Sequence, residues 1–173
     1  MNLHLGTIDI WTAETPQSPS AFFGSLHHLL DENDILAIGS YDLDQAAEIW
    51  FSQNAIPVES TDVPYDDSFE LNREEYPRGR AWHFRPTREI FSGLASLVET
   101  LPRFPHGPTC IDHILAYRAG IPALPLLNFR HAFGLGDLHL SGHFSEATIR
   151  SFALDSELVI ERAENPVLAS VEC

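Results

Sequence analysis

Lysine is absent from this 173-residue chain: all ten basic side chains are arginines, set against 25 aspartates and glutamates. Without a lysine amine there is no Walker-type phosphate loop, no Schiff-base chemistry and no attachment point for pyridoxal phosphate. Cysteine is scarce as well, with only Cys110 and Cys173, which excludes a disulfide framework and a multi-cysteine zinc site. No apolar run approaches the ~18 residues of a membrane span. The opening residues Met1 to Asp9 lack the charged and apolar regions of a secretory signal. Gly134-Leu-Gly136 has no third glycine at the dinucleotide spacing and leads into a strand pattern, and no Gly-x-Ser-x-Gly elbow occurs. These absences describe a cytoplasmic chain for which no cofactor is expected.

What is present is acid. The formal charge is -15, and so negative a field opposes broad binding to nucleic acid or to an anionic membrane. The charge is unevenly spread: residues 1–41 carry -5, residues 42–75 carry -9, residues 76–130 carry +4 and residues 131–173 carry -5. An acidic segment beside an arginine-rich one implies either a face for a basic partner or an acidic loop folded back on the arginines. The basic stretch Arg78 to Arg88 includes Trp82 and Phe84 and has the composition to stack bases and hold phosphates. Pairing Arg78, Arg80, Arg85 and Arg88 with acids just upstream is the more economical reading.

Leu3 to Trp11 alternates apolar and polar residues with a phase change at Gly6, which predicts a first strand with a bulge. Phe22, Phe23, Leu26, Leu29 and Leu30 have helical spacing, placing His27 and His28 on a first helix with at most one facing the core. Asp34 to Gly39 reads as a buried strand, and Asp42 as the cap of a second helix with Leu43, Ala46, Ala47 and Trp50 on its face. Residues 59–77 keep neither period and read as an acidic loop. Ala81 to Phe84 predicts a short strand, and Thr87 starts a strongly amphipathic helix that Pro102, Pro105 and Pro108 end. Ile111 to Arg118 and Ile121 to Phe129 flank Ala119-Gly120 as a hairpin. A third strand is predicted over Leu138 to Phe144, and Ser145 caps a last helix with Ile149, Phe152 and Ala153. The expectation is one α+β domain spanning 1–173: a mixed sheet with a C-terminal antiparallel three-strand segment and about four helices packed on it.

Three constellations are candidates for binding or chemistry. In the acidic loop, Asp62, Tyr65, Asp66, Asp67, Phe69, Glu70, Glu74 and Glu75 set aromatics among carboxylates, the composition of a surface that steers a basic partner by charge and anchors it by ring burial. In the C-terminal third, a strand over 138–144 would put Asp137, His139, Ser141 and His143 on one face, with His131 and His113 near by. Imidazoles with a carboxylate suit zinc or non-haem iron, although alternating polar residues also describe a solvated sheet face. Cys110, Asp112 and His113 invite a thiolate–imidazole reading, while His113, alternating with Ile111, Leu115 and Tyr117, equally fits a core histidine. The leading expectation is a small acidic cytoplasmic binding protein of the inhibitor or immunity type, which neutralises a basic protein such as a nuclease toxin through residues 42–75. The alternative is a metal-dependent hydrolase or oxygenase using the His/Asp cluster.

Overall fold

The apolar faces of the helices and of the central strands meet in a computed structural model that describes residues 2–4, 11–41, 43–58, 79–101, 109–120, 124–134, 136–163 and 170–172. In chain order the elements are β1 (Asn2–His4), β2 (Trp11–Ala13), α1 (Pro19–Ser25), a 3-10 turn (Leu26–His28), β3 (Asp34–Ser40), α2 (Gln45–Asn54), β4 (Arg80–Phe84), α3 (Arg88–Val98), β5 (Ile111–Arg118), β6 (Leu124–Arg130), β7 (Leu138–Leu140), α4 (Glu146–Ser156), β8 (Ile160–Arg162) and β9 (Ser170–Glu172). Seven strands form one sheet in the order β4-β3-β5-β6-β7-β2-β8, and β1 pairs with β9 separately. Every described pairing is antiparallel. The α+β class holds, and β5, β6 and β7, the expected three-strand segment, are antiparallel neighbours. None of the described helices is long and apolar enough to cross a membrane.

Register explains the core. Phe84, Leu36, Ala116, Leu127, Leu140 and Trp11 lie in one row across the sheet. Opposite residues of paired strands share a face, so this row and the next one, with Ile38, Ile114, Phe129, Leu138 and Ala13, form a single apolar surface. Phe22, Phe23 and Leu26 from α1 and its following turn, Ala47 and Phe51 from α2, Phe91, Leu94 and Val98 from α3, and Ile149 and Phe152 from α4 complete the same core. Phe22 is at its centre, with ring centroids 5.5 Å from Phe23, 5.6 Å from Phe129, 5.4 Å from Phe133 and 5.9 Å from Phe152. The pairs with Phe23, Phe133 and Phe152 are edge-to-face, a geometry that contributes about 0.5–1.5 kcal/mol each beyond area burial.

Local chemistry sets the helix starts. The hydroxyls of Ser18, Thr87 and Ser145 accept the N–H of Ala21, Ile90 and Thr148, three residues on, which satisfies donors that a helix end leaves orphaned. In α2 the capping carboxylate belongs to Asp44, which accepts the Ala47 N–H at 2.8 Å, and not to Asp42, which lies outside the described residues. Starting the helix there turns Ala47 and Phe51, one turn apart, to the core and leaves Ala46 exposed. The third C-terminal strand is also shorter than its alternation suggested. Ser141 is fully buried, its hydroxyl accepts the His143 N–H at 3.2 Å, and the Phe144 N–H donates to the Ser141 carbonyl at 3.1 Å. This turn ends β7 at Leu140 and takes His143 off the strand.

Two bulges re-aim side chains. Gly39 faces His113 while Ser40 faces Ile111, leaving Asp112 as the extra residue of β5. Ala116 faces Leu127 while Tyr117 faces Pro125, so a proline without an N–H sits where the ladder is already broken.

Candidate functional site

The face of the sheet opposite the main core carries a row that is polar on either side of a buried apolar pair, Ala37 and Leu115. His83, Ala37, Leu115, Asn128, His139, Thr12 and Glu161 are consecutive partners across all seven strands. Burial pushes the His139 imidazole below its usual value, partly offset by the Asp137 carboxylate, because a half-buried ring loses more hydration as a cation than as a neutral group.

At the end of β5 the bulge brings Asp112 between two histidines. One carboxylate oxygen pairs with Nδ1 of His113 and the other lies 3.3 Å from Nδ1 of His131. Burial alone would raise the Asp112 carboxyl, but the hydrogen bond and charge of His113, followed by those of His131, hold it below its usual range. His131 reaches this position because it has φ of 50° at the start of a turn in which its carbonyl accepts the Gly134 N–H at 3.1 Å and the Gly136 N–H at 3.3 Å. The Ala132 N–H donates to the Asp112 carbonyl at 2.6 Å and fastens the turn to the bulge. A carboxylate that holds the Nδ1–H tautomer leaves Nε2 of the exposed His131 as a proton acceptor. The same contacts serve as a structural tie between β5 and the turn after β6.

Beyond β7 lies an open cleft of about 640 Å³ around β2 and the segment leading into β8. Its described lining includes Glu14, Asp137, Glu157 and Glu161 with Leu158 and Val159, and it contains no arginine. Val159 is 78% exposed, so an apolar contact point stands beside four carboxylates. Glu157 has φ of 58° and ends α4 in the left-handed conformation, which turns the chain from the helix into the cleft wall. Thr15, also in the lining, is anchored by a hydroxyl bond to the Gly136 carbonyl.

The structure divides the histidine set suggested by the sequence. His113 and His131 are neighbours, with ring centroids 5.5 Å apart. His139 is on β7, two strands from β5, Asp137 lines the cleft, and His143 sits in the turn after β7. Among the described residues these five do not share a metal-sized centre: the group of His, Cys, Asp or Glu ligand atoms lying within 4.8 Å of one another is His27, His28 and Asp155. The acidic-loop residues Asp62, Tyr65, Asp66, Asp67, Phe69, Glu70, Glu74 and Glu75 lie outside the described residues. In the basic stretch, Arg80 pairs with Glu48 on α2 and stacks over Trp82, and Arg85 donates to the Glu32 carbonyl at 2.7 Å. The partner of Arg80 is an acid 32 positions upstream and that of Arg85 a backbone carbonyl 53 positions upstream; the acids just before the stretch lie outside the described residues. Glu14, Glu157 and Glu161 were not singled out from the sequence, since no spacing connects residue 14 to residues 157 and 161; only the β2–β8 pairing brings them together.

Comparison of the chain with models of protein families, with curated proteins and with solved structures finds no match.

Proposed function

We propose that this is a small acidic binding protein of the cytoplasm that captures a basic protein, in the manner of an inhibitor or immunity protein. The observation that carries the reading is the cleft beside β2 and β8, whose lining holds Glu14, Asp137, Glu157 and Glu161 together with exposed Val159 and, among the described residues, no arginine. Charge of one sign in a concave site raises the encounter rate with a cationic partner, and a neighbouring apolar side chain supplies contact area once it has docked. The net charge of -15, with -9 of it in residues 42–75, extends the same field. The metal-dependent hydrolase or oxygenase reading has less support, because among the described residues its five side chains do not share a metal-sized centre.

The test is titration of the protein with an arginine- and lysine-rich peptide at about 50 and 200 mM salt, followed by a Glu14→Gln, Asp137→Asn, Glu157→Gln, Glu161→Gln variant. The expected result is binding that weakens steeply with salt and drops at least about tenfold in the variant, the loss of roughly 1.4 kcal/mol. Reversal of Asp66, Asp67, Glu70, Glu74 and Glu75 measures the share of the acidic loop separately. Binding indifferent to salt and to both sets of substitutions would sink the proposal.

A further inference from the structure

We propose that His27, His28 and Asp155 form a binding site for a divalent first-row transition-metal ion, with zinc as its occupant. The site is distinct from the acidic cleft and from the histidines of the C-terminal strands, and it does not depend on the function proposed above.

His28 and Asp155 are 127 positions apart, yet Nε2 of His28 lies 2.6 Å from Oδ2 of Asp155. Adjacent residues of a 3-10 helix project about 120° apart, and His27 and His28 would ordinarily diverge. Instead their ring centroids are 4.0 Å apart. Nδ1 of His27 is 2.8 Å from the Gly24 carbonyl. A carbonyl only accepts, so this nitrogen carries the hydrogen and Nε2 keeps its lone pair for an ion. A histidine held through its second nitrogen by a backbone carbonyl is the outer-shell arrangement that metal-ligating histidines use.

One ring nitrogen of each histidine and a carboxylate oxygen of Asp155 lie within 4.8 Å of one another. A tetrahedral zinc with bonds of about 2.0–2.1 Å separates its ligands by about 3.4 Å, so closing the set needs only small rotations of side chains at the surface. His27 and Asp155 are exposed and His28 half-buried, which leaves room for water to complete the coordination. Two imidazole nitrogens and one carboxylate oxygen favour zinc and its neighbours over calcium and magnesium, which seek oxygen-only sites. The ion would tie the turn after α1 to the last turn of α4, two elements already packed on each other, and so stabilise the fold in proportion to its occupancy.

The test is calorimetric titration of the chelator-treated full chain with zinc at neutral pH, read together with thermal unfolding. The expected result is one saturable ion per chain, a Tm that rises with zinc and not with magnesium, and an affinity reduced at least about tenfold in each of His28→Ala and Asp155→Asn. Because all three side chains reach the surface, the metal-free variants should keep the near-ultraviolet circular dichroism of the parent. His131→Asn with His143→Asn should bind zinc as the parent does. Cobalt gives a second readout, a visible absorption band present in the parent and missing in His28→Ala. The proposal fails if no saturable site appears, if His28→Ala and Asp155→Asn bind zinc undiminished, or if the His131/His143 variant is the one that loses it.

Discussion

The carboxylate of Asp112 and the imidazole of His131 meet across a β-bulge, with Oδ1 3.3 Å from Nδ1. His113 pairs with the other oxygen of the same carboxylate. Since the folded carboxyl titrates below its unfolded value, Asp112 contributes stability that is complete above about pH 4 and is lost as pH falls through the folded pKa. Asp112→Asn should therefore be less stable than the parent at about pH 5, and the gap should narrow toward about pH 3. Urea unfolding at a series of pH values measures it. A gap constant over that range would mean that the charge of Asp112 contributes nothing to the tie.

His139 gives the opposite design problem, a ring whose protonation the fold resists. Its folded pKa is depressed, chiefly by burial, so the unfolded chain takes up a proton first as the solution is acidified. Stability is full above about pH 6.5 and is lost below it as pH approaches the folded pKa. His139→Gln, which keeps a polar side chain in the row without a titrating group, should flatten the fall in Tm between about pH 6.5 and 5. An unchanged slope would remove His139 as its source.

Gly136 is placed against backbone. A Cβ added there would stand 1.6 Å from the Arg130 carbonyl oxygen, a contact that no side-chain rotation relieves. Gly136→Ala should cost more than about 1 kcal/mol and should displace the His131 turn, visible as altered histidine resonances in NMR spectra. Near-parental stability would show that the turn re-forms with a different path.

Phe22 is fully buried among Phe23, Phe129, Phe133 and Phe152. Its truncation to alanine should cost about 3–5 kcal/mol in a denaturant titration, the range for a large core ring that leaves a cavity. A cost under about 1 kcal/mol would mean that the surrounding rings collapse into the space.

The elements most legible in the sequence are those whose determinants lie within one turn of each other. Thr87 caps α3, and Phe91, Leu94 and Val98 keep its buried stripe; Asp34 to Ser40 is buried at every position, as a short apolar run implies. The β5–β6 pair follows from two long patterns on either side of Gly120. Less legible were the three-residue strands. β8 carries Ile160, Glu161 and Arg162, too little alternation to mark a strand, and it exists because β2 offers it partners. The end of β7 depends on Ser141 turning its hydroxyl to the His143 N–H, a competition that an apolar–polar pattern does not record.

The sequence by itself determined the α+β class, the caps of α3 and α4, the lack of lysine chemistry, and the sign of the net charge, because periodicity, capping and charge act locally or add without regard to position. Tertiary structure alone decided which charged and titratable groups meet. Asp112 finds His131 across 19 positions and His28 finds Asp155 across 127, while Glu14 joins Glu157 and Glu161 around one cleft. Contacts of that separation are set by strand order, a bulge and helix packing, and these follow from burial summed over the whole core and not from any short stretch of residues.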